Sequence, residues 1–253
     1  ETHPDQPVLD RFGNYDDVDT VGDINRRYDA AVKYVDNSIG RIVDYLQQQG
    51  EADNTAIIIT SDHGESLTEN GVLFSHRELF DQTWHTPLVI SAPMFSGTEN
   101  RFVQHFDIVP TVLDMLESHT NNDHFDGQSL VPKNGSRDID RNAVFVEQIH
   151  NARQQAIRTN NYKYIRNLNE NRSGKQSDKR RPAEQLYDIQ TDPGESCNIV
   201  KQNPQKKSEL LRRLEIWLES LPEPGESDST LESAHRDRQL MQQFEALGYK
   251  FDE

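Results

Sequence analysis

Between Asn25 and Gln48 the apolar positions Tyr28, Ala31, Val32, Val35, Ile39, Ile42, Val43 and Leu46 recur at steps of three and four. That spacing lines one face of an α-helix, and Gly50 supplies its stop. Asp53-Asn54 then turn the chain into Ala56-Ile57-Ile58-Ile59, a β-branched run that predicts a buried strand from Thr55 to Thr60. A second strand is expected over Pro87–Ser91, stopped by Pro93, and a second helix over Phe106–Leu116 with Pro110 in its first turn. Ala143–Glu147 reads as a third strand. Helices alternating with short apolar strands predict an α/β fold over residues 1–150, a mainly parallel sheet flanked by helices.

The pattern changes near residue 150. Gln155–Arg158, Tyr162–Arg166 and Gln185–Tyr187 are short extended runs separated by turn-rich segments, which predicts a small antiparallel sheet with an exposed loop over 169–184. Leu210, Leu211, Leu214 and Trp217-Leu218 add an amphipathic helix, closing a subdomain of residues 151–221. Residues 222–253 are acidic and weakly patterned, the signature of a mobile tail, and residues 8–24 read as a polar loop.

Charge narrows the function classes. The 253 residues carry 27 Lys and Arg against 43 Asp and Glu, a net charge of −16. Phosphate backbones and acidic lipid surfaces would be repelled, so nucleic acid and membrane surfaces are not expected partners. The acids are spread along the whole chain, as in proteins from salt-loving cells, where screening removes the self-repulsion. Cys197 is the only cysteine, which excludes an intrachain disulfide and paired-cysteine metal knuckles. No apolar run reaches the length of a membrane span, so a soluble chain is expected, with its compartment unassigned.

Candidate chemistry gathers after the first strand, in Thr60-Ser61-Asp62-His63-Gly64-Glu65. A carboxylate beside an imidazole suits Zn²⁺ or Mn²⁺, and a site richer in oxygen suits Ca²⁺. Taken alone, the same residues after a strand are more often an ordinary solvated turn. Downstream, His76 and His85 approach the second strand, and parallel strands deliver their carboxyl ends to one edge, where His76 could face Asp62 and His63. A packed or surface-exposed side chain beside Trp84 and Pro87 is the plainer reading of His85. His3 and Asp5 lie in a Pro-bracketed stretch with no chemistry of its own.

Taken in order, "YDAAVKYVDNSIGRIVDYL", "DNTAIIITSDHGE", "HRELFDQTWHTPLVI", "FDIVPTVLDML", "DGQSLVP", "AIRTNNYKYIR" and "QLYDIQTDPGESCNIV" resemble the carboxyl-terminal half of a sulfatase, in the alkaline-phosphatase-like superfamily. The resemblance implies hydrolysis of sulfate monoesters with a divalent metal, Ca²⁺ first, and Mn²⁺ or Zn²⁺ as alternatives. It implies Asp62 and His63 as metal ligands and His3 as a contact to the sulfate of the substrate. His76, eleven positions before Pro87, would bind the ester oxygens or protonate the departing alkoxide, work suited to a group that titrates near neutrality. Asp107 is expected to cap a helix, and Glu65 and Glu78 are either surface residues or outer acceptors around the site.

The family's formylglycine nucleophile comes from a Cys/Ser-x-Pro-x-Arg motif that these residues do not contain; Cys197 is followed by Asn-Ile-Val, and Ser91-Ala-Pro and Ser220-Leu-Pro lack the Arg. The expectation is a truncated sulfatase that is inactive alone, with a missing amino-terminal part as its partner. A phosphoryl or phosphonate monoester hydrolase is the alternative, and a non-catalytic remnant that binds an anion or a partner is the second.

Overall fold

The computed structural model describes residues 18–72, 74–76, 78–117, 125–132, 141–148, 153–168 and 182–221. His3, Asp5, most of the expected loop over 169–184 and the expected tail from 222 lie outside the described residues. The chain divides at Leu211 and Arg212 into two compact units.

Helix α1 runs Val21–Gln49, beginning four residues before the apolar period. The reason is a capping box. Thr20 accepts from the Asp23 N–H through its hydroxyl (3.2 Å), and the Asp23 carboxylate accepts from the Thr20 N–H (2.7 Å). Gly50 closes the helix in the left-handed region at φ 73°, and the N–H of Glu51 reaches back to Leu46 O (2.9 Å). Among the described elements α1 packs appreciably only on the short 3₁₀ turn after it, Ala52–Asn54. Tyr28, Val32, Val35, Ile42 and Tyr45 are left exposed along its length.

Strands β1 (Ile57–Thr60) and β2 (Leu88–Ser91) pair with each other, in the antiparallel sense, with Thr60 opposite Leu88 and Ile57 opposite Ser91. This corrects the parallel sheet: among the described residues every strand pair is antiparallel. A parallel pair needs a crossover that carries the chain back to the far end of the first strand. Residues 61–87 instead return to the end they left, and among their described residues the one α-helical turn, α2, is Asp81–Trp84. The isoleucines of β1 are half-buried rather than buried, because a two-stranded sheet leaves both edges open, and Val89 on β2 is exposed.

Helix α3 is Ile108–Met115, preceded by a 3₁₀ turn over His105–Asp107. The expected third strand of the main sheet, β3 (Ala143–Gln148), belongs elsewhere. It is the edge of a four-stranded antiparallel sheet in the order β3, β4 (Gln154–Thr159), β5 (Tyr162–Asn167), β6 (Glu184–Asp188). Strand length and composition do not say which sheet an edge strand joins. The short connection to β4 makes a hairpin the simplest closure.

The core sits on one face of this sheet. Ala156, Ile165, Tyr187 and Ile189 pack with Leu79 and Phe80 from the segment that leads into α2, and Val72 and Val146 cover the rim. Ile157, Tyr164 and Leu186 on the other face are also fully buried. Helix α4, Pro204–Ser220, spans the division between the two units; within the first, Lys207 pairs with Glu184 (2.8 Å) and Lys206 lies over the Tyr162 ring, 5.2 Å from its centre. No described helix is long and apolar enough to cross a membrane.

Candidate active site

Strand β1 ends at Thr60, whose hydroxyl donates to Pro87 O across the pair (2.8 Å). The ring of His105, from the turn before α3, places Nε2 3.2 Å from Thr60 Oγ1 and 3.3 Å from Thr86 Oγ1. One imidazole therefore ties both ends of the 61–86 loop to the start of α3. Nothing in the spacing of the sequence connects residue 105 with 60 or 86, and this residue was not anticipated.

Beyond Thr60, Asp62 Oδ1 accepts from the His63 N–H (2.9 Å), which turns the carboxylate back over the following residue. The His63 ring sets its Nδ1 2.8 Å from Gly64 O. A carbonyl only accepts, so Nδ1 carries a hydrogen, and in the neutral ring the nitrogen left free is Nε2, the form in which an imidazole ligates a metal. That Nε2 lies 3.8 Å from Asp62 Oδ2. Two ligands of one ion, each at about 2.0–2.6 Å, fit this separation. The donor set is thus chemically fit for a divalent cation, and it is open to solvent, with the His63 side chain 44% exposed. Among the described residues no group of three or more His, Cys, Asp or Glu is gathered to hold an ion, so this pair by itself makes two donors and not a complete ion site.

His76 is brought to the same place. Its ring stacks on that of His63 with centroids 4.1 Å apart and planes inclined by 24°. Its Nδ1 lies 3.4 Å from Glu65 Oε2. The approach comes from the loop's own folding rather than from parallel strand ends. Ser66 and Ser75 form an antiparallel bridge, each N–H donating to the other's carbonyl (3.1 and 3.2 Å).

Gly64 fixes the loop from beneath. Its N–H donates to Thr83 O (2.8 Å), and a Cβ at this position would overlap the carbonyl of Gln82. The backbone of α2 is thus the floor under His63, and α2 is itself held by charge. Lys163 on β5, fully buried, pairs with Asp81 (2.8 Å) and Glu195 (2.6 Å), and Arg158 reaches Asp81 at 3.3 Å. Glu195 Oε2 accepts from the Asp81 N–H (2.6 Å). Burial pushes the Asp81 carboxyl up, yet Lys163 and Arg158 hold it below the ordinary aspartate range. Burial wins at Glu195 and raises its carboxyl, with Asp81 adding to the rise against Lys163.

The remaining expected residues stand apart. His85 is exposed, and its N–H closes α2 on Asp81 O (2.9 Å). Glu78 is buried and accepts from Gln154 Nε2 (3.0 Å), an anchor to the carboxyl-terminal sheet rather than an outer shell of the site. Asp107 does more than cap. It accepts from the Gln104 and Gln128 N–H groups (2.7 and 2.8 Å) and, through both oxygens, from Arg141 (2.8 and 2.9 Å).

The family model described as "N-sulphoglucosamine sulphohydrolase, C-terminal" matches residues 69–223, and the one described as "Sulfatase" matches residues 1–118. The chain belongs to the sulfatase family. This sulfatase chain is 31% identical to an N-acetylglucosamine-6-O-sulfatase of Bacteroides thetaiotaomicron over 234 residues, 86% of this chain and 39% of that protein. A solved structure of a protein in complex with its substrate D-glucosamine-2-N,6-O-disulfate is similar at TM-score 0.59 and 29% identity, over 74% of this chain and 39% of the other. A phosphonate monoester hydrolase of Agrobacterium radiobacter is similar at TM-score 0.60 and 26% identity, over 78% and 42%. The sulfatase chain spans well under half the length of the curated relatives it matches.

Proposed function

We propose that this chain supplies the metal-binding and leaving-group side of an active site that hydrolyses sulfate monoesters. The observation that supports it is the convergence of Asp62, His63 and His76 on one loop at the end of β1, in a chain of the sulfatase family. Asp62 and His63 would hold a divalent cation, Ca²⁺ first, with Mn²⁺ or Zn²⁺ as alternatives, which when bound sets positive charge against the sulfate oxygens. His76 would contact the ester oxygen and protonate the departing alkoxide. His3, outside the described residues, would contact the sulfate. The nucleophile of this reading is a formylglycine, and no Cys/Ser-x-Pro-x-Arg run occurs in the 253 residues, so turnover requires that group from elsewhere.

The test is a metal titration of this chain beside Asp62→Ala and His63→Ala, read by calorimetry. The expected result is at least a tenfold weaker affinity in each variant; equal affinity in all three removes the metal site. A second reading, phosphonate or phosphoryl monoester hydrolysis, is favoured by the similarity to the phosphonate monoester hydrolase. Competition for the metal-loaded chain between a sulfate monoester and a phosphonate monoester separates the two.

A further inference from the structure

Glu65 and His76 lie eleven positions apart, and the bridge between Ser66 and Ser75 gives that interval its meaning. Because Ser66 and Ser75 exchange both backbone hydrogen bonds in an isolated bridge, the residues one step outward, Glu65 and His76, are brought opposite one another. Opposed side chains in such a pair stand on one face with Cβ atoms about 4.5–5.5 Å apart. The bridge is firmly held. Ser66 is fully buried, with its hydroxyl 3.3 Å from both Glu69 O and Val72 O, and Asn70 and Gly71, both at positive φ, turn the loop between.

The result is an imidazole constrained on two sides. One face of the His76 ring is covered by His63, and its Nδ1 edge meets Glu65 Oε2 at 3.4 Å. The other carboxylate oxygen, Oε1, is buried with no hydrogen-bond partner among the described residues. A buried carboxylate oxygen without a partner is costly, so the side chain is held in this orientation by its surroundings. A carboxylate oxygen can only accept, and the ring nitrogen that faces it must therefore carry the hydrogen.

We propose that Glu65 is a positioning residue for His76, fixing the tautomer with hydrogen on Nδ1 and so leaving Nε2 as the nitrogen offered to whatever occupies the site. His63 is fixed in the same sense by Gly64 O, so both stacked rings present Nε2. The use of that nitrogen at the ester oxygen rests on the function proposed above; the tautomer does not.

The experiment is long-range proton–nitrogen correlation spectroscopy on this chain with labelled histidine, at one fixed pH about two units above the ordinary histidine value. In the wild type, His76 is expected to show the pattern of hydrogen on Nδ1. Glu65→Ala shifts the tautomer ratio of His76 about fivefold toward hydrogen on Nε2, in line with the loss of one net hydrogen bond. Glu65→Gln, whose amide oxygen still accepts, restores the wild-type pattern, and His63 is unchanged in all three. A residue that merely pinned the loop would move stability and leave the tautomer alone. Hydrogen on Nε2 of His76 in the wild type, or an unchanged ratio in a folded Glu65→Ala, overturns the proposal. If Glu65→Ala does not fold, the wild type and Glu65→Gln still decide it. Should the tautomers behave as expected while Asp62→Ala and His63→Ala bind metal as tightly as wild type, the proposed function fails and the role of Glu65 stands.

Discussion

Gly64 and Gln82 stand so close that the space for a side chain at residue 64 is filled by the carbonyl of residue 82. Any Cβ there must push the loop off α2. Gly64→Ala is therefore expected to cost about 1–3 kcal/mol, the range for an overpacked contact, and to weaken metal binding about tenfold or more by displacing His63. Urea unfolding and calorimetric titration measure the two effects. An alanine variant with wild-type affinity would show that the floor under His63 does not set the site.

Lys163, itself fully buried, faces two carboxylates, the half-buried Asp81 and the buried Glu195. Lys163→Met leaves Asp81 and Glu195 facing each other, and is expected to cost about 3–5 kcal/mol, as for other buried pairs that lose one partner. Because burial already raises the Glu195 carboxyl, the double variant Lys163→Met/Glu195→Gln should recover a substantial part of that loss. The Trp84 ring, 5.0 Å from Lys163 Nζ, makes tryptophan fluorescence a local reporter alongside the unfolding curve.

Asp107, with no exposed surface, joins the start of α3 to Gln128 and Arg141. Asp107→Ala strands the Arg141 guanidinium and is expected to cost about 3–5 kcal/mol. Arg141→Met, which removes the charge and keeps the bulk, should cost about as much because Asp107 is then the stranded charge. Unfolding midpoints in urea measure both.

Acid should unfold the chain through these groups. At Asp107 burial works to raise the carboxyl, and Arg141 with the Gln128 and Gln104 N–H groups outweighs it; Asp81 is lowered in the same net sense. A carboxyl whose folded value is depressed stabilises the fold above the ordinary aspartate value of 3.8, and that stability is lost as pH falls through the lower folded value. The raised Glu195 acts oppositely, contributing at low pH and losing that contribution as pH rises through its folded value. Stability followed from neutral pH down to about pH 2 should therefore fall most steeply below the ordinary aspartate range. Asp107→Asn should flatten that limb.

The helical period of α1 and the turn after it are legible because they need only local spacing and one glycine. Its start is hidden, since Thr20 and Asp23 look like more of the polar stretch around them until the capping box is seen. The direction of β2 relative to β1 could not be read, because Pro87–Ser91 is equally apolar whichever way it runs. Lys163 sits in "YKYIR" as a polar position between aromatics, the pattern of an outward-facing residue, yet it is fully buried because Asp81 and Glu195 come to it from distant parts of the chain. Asp62, His63 and His76 were nameable from motif order. The contact of His76 with Glu65 was not, since an eleven-residue interval acquires a meaning only through a bridge between two serines.

The uncovered stripe on α1 sets this chain's response to salt against its own composition. A net charge of −16 holds copies apart in dilute buffer by long-range repulsion, and added salt shortens the reach of that repulsion to roughly 8 Å at physiological strength. The apolar attraction between exposed Tyr28, Val32, Val35, Ile42 and Tyr45 on neighbouring molecules is not screened. Added salt is thus expected to bring those stripes within reach of one another, and sedimentation at rising ionic strength would show it as growing association.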